Sequence, residues 1–164
     1  MEAIQLFDML PVSQCVAKCD SEHLVLSGYG YVRTRGVYEV PLTIEAEAKT
    51  DSTNLRLHFA KGHVILNWEA VPDQLACYEP VYGHAFHVRE QGRIPRDTWV
   101  KVSWVIERDF MQVLVDDELR FTNEGDSGDE FHRIDYRGLL GPVCIGPGWG
   151  STVTVRSLAV EELD

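Results

Sequence analysis

Apolar and polar residues alternate with a period of two along most of this chain. The longest such run lies between Val37 and Lys49, where Val40, Leu42, Ile44, Ala46 and Ala48 interleave with polar or neutral residues. Side chains on a strand point alternately to opposite faces, so this period predicts a strand with one buried face. Shorter runs of the same kind are predicted over 23–27, 29–33, 54–60, 63–69, 84–90, 99–108, 110–115, 118–122, 142–146 and 152–163. Glycines at 28 and 36 and the run Asp51-Ser52-Thr53 punctuate them. Asp116-Asp117 reads as a tight hairpin turn, because Asp tolerates the left-handed backbone that such a turn needs. The segment 70–83 carries two prolines and no sustained period, and it reads as a loop. No stretch has a helical period longer than about two turns. The expected fold is all-β: a two-sheet antiparallel sandwich.

Three of these runs have polar residues on one face. With Leu55, Leu57 and Phe59 inward, Arg56 and His58 face outward. With Val64, Leu66 and Trp68 inward, Asn67 and Glu69 face outward, and with Phe86 and Val88 inward, His87 and Arg89 do. If the three strands share a sheet, Arg56, His58, Asn67, Glu69, His87 and Arg89 line one groove. Tyr78 and Tyr82, on the predicted loop, would form its aromatic rim, offering flat apolar rings and hydroxyls. Asn67 brings both donors and acceptors. This set suits a carbohydrate or another small polar ligand. By phase, Trp104, Phe59, Phe86 and Trp68 belong to the core.

Composition narrows the classes. The chain has 164 residues and is 45% hydrophobic, which suits a single β-sandwich domain over 1–164, with 1–14 packing on it or leading into it. A formal net charge of −11, from 26 acidic and 15 basic residues, opposes phosphate backbones and anionic membranes, so neither nucleic acid nor membrane is an expected partner. There is no long apolar run and no basic leader, so a soluble, acidic, cytoplasmic protein is expected, unless a secretion leader was trimmed. Cys15, Cys19, Cys77 and Cys144 form no CxxC pair and are expected to be reduced and mostly buried.

The order of the pieces resembles the concanavalin A-like lectin/glucanase superfamily, over about residues 15–163. The resemblance rests on Pro95-Arg96-Asp97-Thr98-Trp99 leading into a strand, on the hairpin 113–119, and on the closing pair Gly141–Gly146 and Val153–Val160. Within it the chain looks most like the keto-disaccharide hydrolase-type and laminin G-like domains. The resemblance implies a jelly-roll sandwich whose twisted sheet often binds carbohydrate; some relatives are glycosidases. The E-x-D-x-x-E run of the laminarinase-type glucanases is absent, as is the H-x-N-x-R pattern of galectins. The leading expectation is therefore a lectin-like, noncatalytic binding sandwich with no catalytic residue, metal or cofactor.

Other chemistry is thinner. A glycoside-processing hydrolase would need two carboxyls at a set separation. Glu69 with Glu45 or Glu47 is the available pairing, and Glu45 and Glu47 share a strand face about 7 Å apart. A structural or partner-binding domain is a third reading. His84 and His87 form an HxxH, which a strand splits between faces, so no chelate is expected. Asn123, Glu124, Asp126 and Asp129 lie on an acidic loop with oxygen ligands for calcium but without EF-hand spacing. No GxSxG or GxxxxGK[ST] occurs.

Overall fold

The computed structural model describes residues 1–20, 22–125 and 134–164. In chain order its strands are β1 (Glu2–Ala3), β2 (Leu10–Val12), β3 (Cys15–Asp20), β4 (His23–Gly28), β5 (Tyr31–Arg33), β6 (Tyr38–Glu39), β7 (Leu42–Thr50), β8 (Leu55–Phe59) and β9 (Gly62–Leu66). They continue as β10 (Leu75–Tyr78), β11 (Ala85–Val88), β12 (Val100–Ile106), β13 (Met111–Val115), β14 (Glu118–Thr122), β15 (Leu140–Gly141), β16 (Val143–Gly146) and β17 (Val153–Glu162). A 3₁₀ turn, Leu6–Asp8, is the one helical element among the described residues. None of them forms a helix long and apolar enough to cross a membrane.

Two large antiparallel sheets face each other. The first runs β14-β13-β12-β7-β17-β4-β3, with β1 added to β17. The second runs β11-β10-β9-β8-β16-β5-β2, and β6 and β15 form a small ribbon. Alternation builds the core. Leu42, Ile44, Ala46 and Ala48 of β7 and Val100, Val102, Trp104 and Ile106 of β12 meet Leu55, Leu57 and Phe59 of β8 and Val64 and Leu66 of β9 in one buried cluster. In β17 the alternation slips at Arg156, an extra residue at a register shift between Val155 and Ser157; beyond it Leu158 and Val160 return to the core.

Several expectations need correction. The run 37–49 is not one strand: the Val40–Pro41 bond is cis, and the regular strand begins at Leu42. The predicted loop 70–83 contains β10, a sheet strand paired on both sides. Residues 2–3, 10–12 and 15–20, outside the predicted runs, join the sheets. Asp116 and Asp117 both adopt positive φ (50° and 66°), as the tight turn requires. Trp104 and Phe59 are buried, and Phe86 packs on the core edge against Phe121. Trp68 is not in the core. Asn67 has φ 52°, which breaks the alternation after Leu66 and turns Trp68 toward the outer surface. Cys15, Cys77 and Cys144 are buried free thiols, whereas Cys19 is exposed.

Candidate functional site

The outward face of the second sheet holds the candidate site. Residues paired across neighbouring strands share a face. One row runs Ala85, Tyr78, His63, His58, Cys144, Arg33. The next runs His87, Ala76, Ile65, Arg56, Gly146. Tyr31, two residues before Arg33, lies beside Gly146.

Rings dominate this surface. Tyr31 and His58 lie with centroids 4.9 Å apart, His58 and His63 4.9 Å, His63 and Tyr78 4.2 Å, and Tyr78 and His87 5.7 Å. Trp68 closes the series edge-on to His87 at 5.3 Å. The ladder spans six neighbouring strands, taking rings from β5, β8, β9, β10 and β11 and passing over β16, and ends on the residue displaced by the Asn67 turn. Beneath it Ala76, Ile65 and Cys144 are buried although they face outward. The rings roof over the small side chains.

Arg56 occupies the next position along β8. Its Nε and Nη2 donate to the Pro147 carbonyl at 2.9 and 2.5 Å, and Nη2 also reaches the Gly30 carbonyl at 3.4 Å. Gly146 makes this approach feasible: a Cβ there would lie 2.4 Å from the Gly30 oxygen and 2.9 Å from the Tyr31 Cβ. Burial lowers the Arg56 pKa, and the Glu69 carboxylate nearby opposes that shift.

The two histidines are neutral near pH 7. Burial pushes the His58 pKa down to about 3, and the His63 and Arg56 charges push the same way. Burial and then Arg56 push His63 down to about 4. A neutral imidazole presents one donor and one acceptor. The His58 Nε2 and Glu69 Oε2 atoms are buried with no hydrogen-bond partner among the described residues. The arrangement combines flat rings, neutral donor–acceptor groups, the Arg56 guanidinium and, beyond Cys144, that of Arg33. It can stack on a ring-shaped ligand and hydrogen-bond its substituents.

Of the residues singled out from sequence, Arg56, His58, Tyr78 and His87 come together here, with Glu69 at the Arg56 side. Asn67 does not face outward as expected. Its side chain is buried, donates to the Ser52 and Ile94 carbonyls at 3.1 and 3.0 Å, and accepts the Ile94 N–H at 2.8 Å. Tyr82 is exposed and stacks on His84 in the β10–β11 connection. That connection is built on Glu79, which is buried and accepts the backbone N–H groups of Val81, Tyr82 and His84. Arg89 lies apart from the ladder, in a depression with Val71, Asp73, Gln74 and Glu90.

His63, Tyr31 and Trp68 were missed. His63 was legible: it is in phase with Ile65, opposite Val64 and Leu66. Tyr31 required the β5–β16–β8 order. The carboxyl pair considered from sequence is not assembled. Glu45 and Glu47 lie on the outer face of the first sheet, across the core from Glu69, and Glu47 accepts Arg156 Nη2 at 2.6 Å. On the acidic loop, Asn123 accepts the Met111 N–H at 2.7 Å and Glu124 accepts Gln112 Nε2 at 3.2 Å. Asp126 and Asp129 lie outside the described residues. Among the described residues, no three His, Cys, Asp or Glu side chains are grouped to hold a metal.

No protein-family model matches the chain, and no curated protein matches it. Solved structures do match in shape. A Bacillus subtilis protein of unknown function with a galectin-like fold superposes with a TM-score of 0.72 at 9% identity, over 96% of this chain and 90% of that one. The carbohydrate-binding module CBM66 from Bacillus subtilis gives 0.67 at 12% identity, over 94% and 96%. The κ-carrageenase from Pseudoalteromonas carrageenovora, solved with an oligotetrasaccharide of κ-carrageenan, gives 0.54 at 9% identity, over 93% and 87%. The chain has the concanavalin A-like jelly-roll fold.

Proposed function

We propose that this protein is a noncatalytic carbohydrate-binding sandwich whose site is the ring ladder on the second sheet. The observation that carries the reading is the continuous series Tyr31–His58–His63–Tyr78–His87–Trp68 beside a half-buried Arg56. Sugars present apolar C–H faces and polar hydroxyl edges together. Rings serve the first, and neutral imidazoles with a fixed guanidinium serve the second. Structural neighbours that include a carbohydrate-binding module and a carrageenase bound to an oligosaccharide support the same reading.

A glycan array followed by calorimetric titration of each hit tests it. Losing hydrogen bonds at such a site costs about 1–3 kcal/mol, so His63→Ala is expected to weaken binding about 5- to 150-fold. Unchanged affinity in both His63→Ala and Tyr78→Ala would overturn the assignment of the face.

A further inference from the structure

Trp149 is held in an unusual state. Of the four tryptophans it alone is exposed, at 65%, and its backbone has φ 51°. A bulky residue is a genuine outlier at positive φ, and such strain persists only where its surroundings impose it. The surroundings here are rigid. Asn54 Nδ2 donates to the Gly148 carbonyl at 3.3 Å, the Gly148 N–H donates to Ser151 Oγ at 3.0 Å, and that hydroxyl donates to the Asn54 carbonyl at 3.2 Å. Asn54 and Ser151 are both buried.

Tyr29, 55% exposed, meets Trp149 edge-on at 6.4 Å. Its turn is also pinned: the Tyr29 N–H donates to the Gln14 carbonyl at 3.1 Å, and Gly28 and Gly30 on either side take φ 84° and 95°. Arg56 ties the two turns together through Pro147 and Gly30. Two exposed rings on separate turns therefore meet edge-on, and both turns are tied to Arg56, which stands beside the ladder.

We infer that Trp149 and Tyr29 form a stacking platform for a sugar ring, an outer subsite at the Arg56 end of the ring ladder. The inference rests on the carbohydrate reading of that face and adds a second contact region to it. Because the backbone of both turns is fixed beforehand, little backbone ordering opposes binding. A glycan long enough to span both regions gains from both, whereas one reaching only the ladder does not.

The test compares wild type, Trp149→Ala, Trp149→Gly, Tyr29→Ala, His63→Ala and Tyr78→Ala on an array of gluco-, galacto-, manno- and fructo-oligosaccharides of graded length. Expected is a loss of about 10- to 100-fold for Trp149→Ala on the longer glycans, as for an anchoring aromatic. Trp149→Gly should lose binding equally while its melting temperature does not fall, because glycine accepts the positive φ. A merely structural Trp149 would lower stability and leave affinity alone. If His63→Ala weakens binding and Trp149→Ala stays within about twofold, the platform is overturned and the ladder reading stands. If the Trp149 and Tyr29 variants lose affinity while His63→Ala and Tyr78→Ala both keep it, the ladder reading fails, and the platform is overturned as an outer subsite and stands only as a separate sugar site. Wild type that binds nothing on the array overturns both.

Discussion

The outer faces of the two sheets follow the same alternation over the same core, yet they are built differently. On the first sheet, outward charges pair with one another. Arg156 pairs with Glu47, and Lys101 with Asp117 at 2.7 Å. The ring on that side, Trp99, is enclosed: His23 lies 5.1 Å away, and Lys49 and Arg156 stand over it at 4.9 and 4.6 Å. On the second sheet the rings lie against one another, His58 and His63 are kept uncharged, and the Arg56 guanidinium is spent on backbone carbonyls. Solvated ion pairs contribute little energy and ask little of their surroundings. Half-buried polar groups cost energy, and that cost has to be supported from behind.

That support is visible in Asn67 and is the largest effect expected. Its amide bridges Ser52 and Ile94 at the margin of the ladder, and its φ of 52° aims Trp68 at His87. Asn67→Ala removes three hydrogen bonds and places a Cβ residue without a local polar partner in the left-handed region. A loss of about 2–4 kcal/mol in a urea titration is expected. A loss below about 0.5 kcal/mol would mean that the second sheet needs no such bracing.

The same contrast sorts what was legible in the sequence from what was not. Period two exposed the core strands β7, β8, β9, β12, β13 and β17, because each buries one face. It failed at β10, where Leu75, Ala76 and Cys77 are all buried and no alternation exists between the flanking prolines. It also failed at Asn67, where a single positive φ inverted the facing of Asn67 and Trp68. Arg56, His58, Tyr78 and His87 were found because their strands are regular or their residue type was conspicuous. Tyr31, Trp149 and Tyr29 were not, because strand order and turn conformation, rather than local pattern, bring them to Arg56. Chain pattern says which way a side chain points on a regular strand; which strands are neighbours is a tertiary fact.

A smaller effect separates the faces by pH. The folded pKa values of His58 and His63, about 3 and about 4, lie below the ordinary value of 6.5. Between about pH 6.5 and pH 4 the unfolded chain therefore binds protons that the folded chain does not. The stability due to their neutral burial is complete above about pH 6.5 and declines as pH falls through that window. About 1–2 kcal/mol in total is expected by pH 5, after reduction for solvent screening. Thermal melts at several pH values check it. The double variant His58→Gln/His63→Gln should flatten the slope between about pH 6.5 and pH 4.5 relative to wild type. An unchanged slope would mean that the ladder holds no buried neutral imidazoles.

The smallest effect belongs to the first sheet. Arg156 occupies the bulge of β17, donates to Glu47 through Nε at 2.8 Å, and lies over Trp99. Both partners of the ion pair are partly exposed, and the bulge is set by backbone pairing rather than by the guanidinium. Arg156→Ala removes a screened ion pair and one of the two cations over a ring, leaving Lys49 and His23 in place. The expected cost is about 0.2–1 kcal/mol, and it should shrink in high salt, where exposed charges are screened. Urea titrations at low and high salt read both quantities. If the loss exceeded about 2 kcal/mol or ignored salt, Arg156 would be as built-in as Arg56. The two faces would then differ in residue type alone, and the contrast between screened ion pairs on the first sheet and buttressed polar groups on the second would fail.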